Sequence, residues 1–152
     1  MKFNHIALIG LGLIASSIGL ALKKKFNDVK ITGYSRTKAT RDEARKVGFC
    51  EVFDDYEGCV KHADLIILCV PVGAMSDTIK RVIPFLSVSA VVSDVGSVKE
   101  SVILDVEKNL PKNIFFVPAH PLAGTENSGP SSGFATLFEN RWCILTPSGK
   151  VP

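Results

Sequence analysis

The feature that constrains the fold most is an apolar stretch near the start of the chain, interrupted by two glycines. Residues 6–9 are apolar and of strand length, Gly10 and Gly12 follow, and apolar residues then recur at helical spacing from Leu13 onward. This pattern predicts a strand, a tight turn and a helix. Gly10 permits the turn, and Gly12 has no side chain to prevent a close approach to the backbone.

The same turn predicts a dinucleotide site. A small residue, Ala15, stands at the third position of a G-x-G-x-x-A pattern, where it lets helix and strand pack closely. The helix N-terminus would direct unpaired N–H groups and the positive end of its dipole at a pyrophosphate. We therefore expect Gly10, Gly12, Leu13, Ile14 and Ala15 to bind a cofactor.

The run from Ile6 to Leu22 has two alternative interpretations, a targeting or membrane segment and a buried strand–helix unit without a ligand. Lysines 23–25 follow the run instead of preceding it, and no small-residue cleavage site comes directly after it. Glycines and serines also dilute its apolarity. These features favour the dinucleotide turn over the alternatives.

The chain has 152 residues, which predicts one domain over residues 1–152 with a sizeable core. A net charge of +3 is too small to indicate a nucleic-acid partner, and nothing else in the sequence favours a membrane. The four cysteines form no C-x-x-C pair and have no histidine at metal-ligand spacing. We expect reduced thiols, no metal site and a cytoplasmic location.

Strand and helix patterns alternate along the chain, which predicts βαβ units and a parallel sheet. The predicted strands are 6–9, 29–34, 50–53, 64–70, 90–94, 114–117 and 142–145, and the predicted helices are 13–22, 40–48, 56–62, 74–83, 97–109 and 134–138. Thr40 with Glu43, and Ser97 with Glu100, have the spacing of capping boxes. The expected architecture is a Rossmann-type doubly wound α/β fold with strand order 3-2-1-4-5-6 and ligands at the carboxyl ends of its strands.

The end of the second predicted strand bears on which nicotinamide cofactor binds. An acid there would bind the ribose 2′-OH and repel a 2′-phosphate, but the sequence has Ser35, Arg36 and Thr37. Hydroxyls and a guanidinium suit a 2′-phosphate, which favours NADP over NAD. The alternative is that Arg36 and Lys38 form a solvated helix start.

Two further residues follow predicted strands on the side where ligands should bind. Ser97 is placed to cap a helix, and a capping hydroxyl can still meet a ligand. His120 lies between Pro118 and Pro121, which restrict the backbone around it. Its ordinary pKa near neutrality makes it a candidate general base, with a purely structural role as the alternative.

Four segments together resemble the prephenate/arogenate dehydrogenases of tyrosine biosynthesis: residues 10–14, 63–72, 93–99 and 120–126. Their order and spacing match along nearly the whole chain. The glycine turn is common to many dehydrogenases, whereas the pairing of D-V-G-S-V-K with H-P-L-A-G-T-E is far more specific. The resemblance implies oxidative decarboxylation of prephenate to 4-hydroxyphenylpyruvate with hydride transfer to NADP⁺ or NAD⁺.

The resemblance also implies roles for individual residues. His120 would accept the hydrogen bond and then the proton of the substrate's ring hydroxyl, and Ser97 would orient that hydroxyl. Thr125 and Glu126 would line the substrate pocket. Val70 and Pro71, at the end of the apolar strand, would lie beside the cofactor.

Two departures from the family pattern qualify these expectations. Ala15 and Ser16 stand where the family usually has glycine, so Ser16 would add a hydroxyl near the phosphates. The family's second, helical domain, which makes the dimer and supplies cationic groups for the substrate, has no counterpart here. We expect a truncated form or fragment of a homodimeric protein, able to bind cofactor but with little or no turnover alone.

The rival interpretations are another Rossmann reductase, such as a β-hydroxyacid dehydrogenase or an imine reductase, and a non-catalytic nucleotide-binding module. The choice between prephenate and arogenate stays open at this stage.

Overall fold

The computed structural model describes residues 3–147, which form a six-stranded parallel sheet with helices on both faces. The strands are β1 His5–Ile9, β2 Lys30–Tyr34, β3 Glu51–Val52, β4 Leu65–Leu68, β5 Val91–Asp94 and β6 Phe115–Val117. Their order is β3-β2-β1-β4-β5-β6, with every neighbouring pair parallel. The predicted Rossmann order is therefore confirmed.

Five α-helices connect these strands: α1 Leu13–Lys25, α2 Lys38–Val47, α3 Tyr56–Val60, α4 Met75–Val82 and α5 Lys99–Glu107. Short 3₁₀ segments lie at Val72–Ala74, Ile83–Phe85 and Pro130–Ser132. The apolar core lies on both faces of the sheet, with α1 and α2 residues in one cluster and α3, α4 and α5 residues in the other. Every residue of β1 is buried, and residues 6–9 form the unbroken apolar run that is typical of such a strand.

Residues 6–22 form β1, the glycine turn and most of α1, so this run belongs to the core of the domain. In the part of the chain that the structure describes, no helix is both long and apolar enough to cross a membrane. Residues 3–147 likewise contain no group of three side chains placed to hold a metal ion.

A second, two-stranded antiparallel sheet contains the last predicted strand. β7 Ala119–Pro121 pairs with β8 Cys143–Leu145, and His120 lies opposite Ile144. The Thr146 N–H donates to the Pro118 carbonyl (3.0 Å) and the Leu122 N–H to the Trp142 carbonyl (2.8 Å), which closes the ribbon at both ends. His120 therefore lies within a short strand of its own, beyond the end of β6.

Both predicted capping boxes are wrong. The N-cap of α2 is Thr37, whose hydroxyl accepts from the Thr40 N–H (3.4 Å), while the Glu43 carboxylate accepts from the distant Ser131 N–H (3.0 Å). The helix α5 begins after Val98 without a side-chain cap. The loop before it is organised instead by Asp94, which accepts from the Gly96 N–H (2.8 Å).

Two predicted helices also differ from the structure. The segment 74–83 begins and ends in 3₁₀ turns, with α4 between them. Residues 134–138 form consecutive turns, for example from the Leu137 N–H to the Phe134 carbonyl (3.3 Å). Bonds of this short span close single turns but do not propagate an α-helix.

His5 has a structural role at the start of β1. The Thr32 hydroxyl donates to the Cys59 carbonyl (2.6 Å), so it accepts from the His5 Nε2–H group (2.9 Å). His5 is only 8% exposed, and burial, with the nearby Lys30 charge, lowers the pKa of His5 below its ordinary value of 6.5.

This burial predicts a pH dependence of stability. Between the lowered folded pKa and the ordinary unfolded one, the unfolded chain binds more protons. The stabilising contribution of neutral His5 is thus complete above about pH 6.5 and is lost as the pH falls through that value. Denaturant unfolding should show that the free energy of unfolding falls more between about pH 8 and pH 5.5 in the parent chain than in His5→Gln. Equal losses in the two proteins would contradict this origin.

Candidate functional site

The turn between β1 and α1 requires glycine at its first position. Gly10 has φ +94°, a region that other residues rarely adopt, and its N–H donates to the Tyr34 carbonyl (2.8 Å). A Cβ atom at Gly10 would lie 2.7 Å from the Cys69 carbonyl oxygen. The turn is therefore held against the ends of both β2 and β4.

At Gly12, unlike Gly10, no steric conflict within the protein requires a glycine. A Cβ atom at Gly12 would meet no protein atom within 4 Å, so the position faces open space. Gly12 is the N-cap of α1 and no side chain caps the helix, whose first intrahelical bond runs from the Ser16 N–H to the Gly12 carbonyl (3.0 Å). The earlier N–H groups of the first turn have no helical acceptor. An anion with several oxygens, such as a pyrophosphate, fits this end of the helix.

A cavity of about 880 Å³ lies alongside this turn at the carboxyl ends of β1, β2 and β4. Its volume is in the range of sites for cofactor-sized ligands, roughly 300–1,000 Å³. Seven of the ten residues predicted to bind cofactor line it: Gly10, Gly12, Ser35, Arg36, Thr37, Val70 and Pro71.

Leu13, Ile14 and Ala15 do not line the cavity. Ala15 is completely buried and Leu13 nearly so, while Ile14 is half-buried. Their side chains belong to the packing of α1, because a helix that starts beside a central strand must bury its first turn against the sheet. Only their backbone N–H groups are available to a ligand there.

Aromatic and charged residues that the sequence analysis missed also line the cavity. Tyr34 and Tyr56 pack ring against ring, with centroids 4.3 Å apart and planes tilted by 53°. Burial, with nearby Tyr34, raises the pKa of Tyr56, so this side chain is a neutral hydrogen-bonding group at ordinary pH. Arg81 and Asp77 come from α4. No local pattern predicted this grouping, since its members come from β2, α3 and α4.

Arg41 holds the loop that follows β2. Its guanidinium donates to the carbonyls of Ser35 (2.8 Å) and Arg36 (3.0 Å) and to the Asp54 carboxylate (2.8 Å). Hydrogen bonds from Arg45 and Arg41 lower the pKa of Asp54 below its usual value. Arg41 thereby stabilises the conformation of the loop in which Ser35 and Arg36 line the cavity.

Arg36 itself is exposed, and so is Arg81. Among residues 3–147 neither guanidinium forms an ion pair with a carboxylate. Two cations on the cavity wall are thus available to an anionic group, against the single carboxylate of Asp77.

Ser16 does not extend towards the proposed phosphate position. Its buried hydroxyl donates to the Gly12 carbonyl (3.0 Å) and the Leu13 carbonyl (3.1 Å), and it packs against Gly133. The next residue, Ser17, accepts from the Phe134 N–H (3.1 Å). The two serines join α1 to the loop 129–134, so the expectation that Ser16 adds a hydroxyl near the phosphates is wrong.

The residues predicted to act on a substrate lie apart from the cavity wall. Ser97 is exposed between β5 and α5, and His120 is half-buried in β7. Thr125 and Glu126 are exposed in the loop after β7, where the Thr125 hydroxyl accepts from the Asn127 N–H (3.2 Å). The segments that carry Ser97 and His120 are joined by a hydrogen bond, in which the Lys99 ammonium donates to the Ala119 carbonyl (2.8 Å).

Comparison with protein families shows one match over most of the chain. Residues 18–152 match the family described as "Prephenate dehydrogenase, nucleotide-binding domain". The cyclohexadienyl dehydrogenase of Zymomonas mobilis is 47% identical over 151 residues, which are 99% of this chain and 51% of that protein.

Solved structures agree with this match. Prephenate dehydrogenase from A. aeolicus, solved in complex with hydroxyphenyl propionate and NAD⁺, superposes with a TM-score of 0.89 and 30% identity, over 100% of this chain and 53% of that one. Synechocystis arogenate dehydrogenase gives a TM-score of 0.86 and 31% identity over 96% of this chain and 51% of that one. The chain spans about half the length of the relatives it matches.

Proposed function

Because the chain belongs to the prephenate dehydrogenase family, matching its nucleotide-binding domain, we propose that it holds the nicotinamide dinucleotide of an enzyme that oxidatively decarboxylates prephenate. The observation that carries this proposal is the turn from Gly10 to α1, which opens onto a cavity of cofactor size. The names of the relatives favour neither a β-hydroxyacid dehydrogenase nor a non-catalytic module.

The dinucleotide would lie across the carboxyl ends of the central strands. Its pyrophosphate would meet the N–H groups of the first turn of α1, over the open position at Gly12. The 2′-phosphate of NADP⁺ would meet Ser35, Arg36 and Thr37, so we propose a preference for NADP⁺ over NAD⁺.

Arg36→Ala should weaken NADP⁺ binding about tenfold or more and leave NAD⁺ binding nearly unchanged, because only NADP⁺ carries the charged group that Arg36 would contact. Calorimetric titration of both cofactors measures this difference. Lys38→Ala is the matched control, since Lys38 pairs with Asp42 (2.6 Å) and does not line the cavity. Equal weakening of both cofactors by Arg36→Ala would refute the 2′-phosphate assignment.

The proposed reaction assigns proton transfer to His120. It would accept the proton of the substrate's ring hydroxyl, while Ser97 orients that hydroxyl and Thr125 and Glu126 line the substrate pocket. A nicotinamide held in the cavity would supply the acceptor for the hydride of the ring carbon that bears this hydroxyl. Loss of the hydride and the proton leaves a ring carbonyl conjugated to the two ring double bonds, so the ring carboxylate becomes that of a vinylogous β-keto acid. CO₂ departs, the electron pair of the broken C–C bond passes through the ring to the carbonyl oxygen, that oxygen takes the proton back from His120, and the ring becomes aromatic.

The rest of the proposal concerns the whole enzyme. We propose a cytoplasmic enzyme of tyrosine biosynthesis that acts as a homodimer, with prephenate or arogenate as its substrate. Since the relatives are about twice as long, we propose that turnover also needs the half of the protein that this chain does not span.

A hybrid enzyme tests this function. Residues 1–147 of this chain would replace the corresponding half of the Z. mobilis relative, and formation of reduced nicotinamide would be followed with prephenate and with arogenate. We expect turnover by the hybrid and none by this chain alone. A folded hybrid that binds cofactor but oxidises neither substrate would contradict the proposal, and turnover by this chain alone would contradict the need for a second half.

A further inference from the structure

A buried ion pair lies between the two segments that carry the proposed catalytic residues. The Asp94 carboxylate, at the end of β5, is 0% exposed, and the Lys99 side chain, at the start of α5, is 15% exposed. The Lys99 ammonium donates to Asp94 Oδ2, which also accepts from the Gly96 N–H (2.8 Å). The charge of Asp94 is therefore compensated by Lys99, five residues further along the chain.

The same two side chains bind the backbone on both sides of Ala119. The Ala119 N–H donates to Asp94 Oδ1 (3.2 Å), and the Lys99 ammonium donates to the Ala119 carbonyl (2.8 Å). Nearby, the Ser93 hydroxyl donates to the Val117 carbonyl (2.8 Å). The ion pair thus connects the end of β5 directly to β7.

These contacts restrict the backbone conformation at Ala119, and therefore the direction in which the chain continues to His120. The N–H of Ala119 belongs to the peptide plane shared with Pro118, and its carbonyl belongs to the plane shared with His120. Holding both planes restricts the two backbone dihedrals of Ala119. The position of the His120 Cα atom relative to β5 is restricted in turn.

We propose that Asp94 and Lys99 are positioning residues for His120, an inference that rests on the proposed role of His120 as proton acceptor. A buried ion pair contributes little net stability compared with apolar residues of the same volume, whereas its hydrogen bonds are directional. The effect of the Asp94–Lys99 pair is therefore on the geometry of the backbone and not on stability. The pair holds the backbone that carries the imidazole against the loop that carries Ser97.

The test is the NMR signal of the His120 ring in this chain. The parent chain should give one sharp set of ring resonances. Lys99→Met should broaden or split that set, and Lys99→Arg, which keeps a charged donor, should restore a single set. Lys108→Met is the matched control, because Lys108 pairs with Asp105 (2.6 Å) at the exposed far end of α5. Asp94→Asn combined with Lys99→Met removes both charges and avoids leaving an unpaired carboxylate buried.

The outcomes separate this inference from the proposed function. Unchanged His120 resonances in Lys99→Met and in the double variant would overturn the positioning role. Global unfolding of both variants would assign the pair to stability alone and would also overturn it. A third outcome is that Lys99→Met changes the His120 ring resonances, while His120→Asn leaves turnover of the hybrid enzyme intact. In that case the positioning contact exists, but the proposed function fails.

Discussion

Replacing Gly12 with alanine should weaken dinucleotide binding roughly 100-fold, about 2.7 kcal/mol, with almost no effect on folding. The added methyl group would meet no protein atom within 4 Å, so it fills the space through which the pyrophosphate reaches the backbone. Gly12 has φ −92°, which alanine adopts without strain, and the entropy that alanine removes from the unfolded chain offsets its weaker N-cap preference.

Gly10→Ala is the informative contrast. Its φ of +94° and the 2.7 Å approach of a Cβ atom to the Cys69 carbonyl oxygen predict a loss of about 2 kcal/mol or more of stability, with binding lost as well. Denaturant unfolding and calorimetric titration of both variants separate the two effects. Normal cofactor affinity in a folded Gly12→Ala variant would show that the phosphates lie elsewhere.

His120→Asn should lower kcat of the hybrid enzyme by about 10²–10⁴-fold, because asparagine can hold a hydrogen bond but cannot take up a proton near neutral pH. Cofactor affinity should not change, since His120 does not line the cavity. The variant should also lose the acidic limb of the pH–rate profile that titration of an essential base produces.

The matched control for this variant is His62→Asn. His62 is exposed and has φ +65°, a conformation that asparagine tolerates well, so the substitution should leave both stability and turnover unchanged. Steady-state kinetics over a range of pH values compares the two variants. If His120→Asn retains the parent kcat and pH profile, His120 is not the proton acceptor.

The organisation of the sheet could be predicted because its signals are local. The uninterrupted apolar residues of β1 and β4, and the glycines at 10 and 12, act over a few neighbouring residues. The correct strand order followed, since a dinucleotide turn after the first strand of alternating βα units has few alternatives. Seven of the residues predicted to bind cofactor line one cavity for the same reason, since strand ends meet at one edge of the sheet.

The errors arise because each of the polar side chains concerned had several possible partners, some near in the chain and some distant. Glu43 has the spacing of a capping box, yet its carboxylate binds the Ser131 N–H 88 residues away. Ser16 has the spacing of a phosphate contact, yet its hydroxyl turns to the carbonyls of its own helix beneath Gly133. Spacing along the chain cannot indicate which of several available partners a polar side chain will bind.

By itself, the sequence determined the doubly wound fold and the glycine turn, because steric limits at glycine and the periodicity of apolar residues operate at short range. The family was indicated separately, by the resemblance of residues 10–14, 63–72, 93–99 and 120–126. Only the tertiary structure decided that Tyr56 and Arg81 share a cavity with Arg36. It alone also decided that Asp94 and Lys99 hold the residue before His120. Contacts of this kind join segments that the sheet brings together, and their geometry exists only once the sheet has formed.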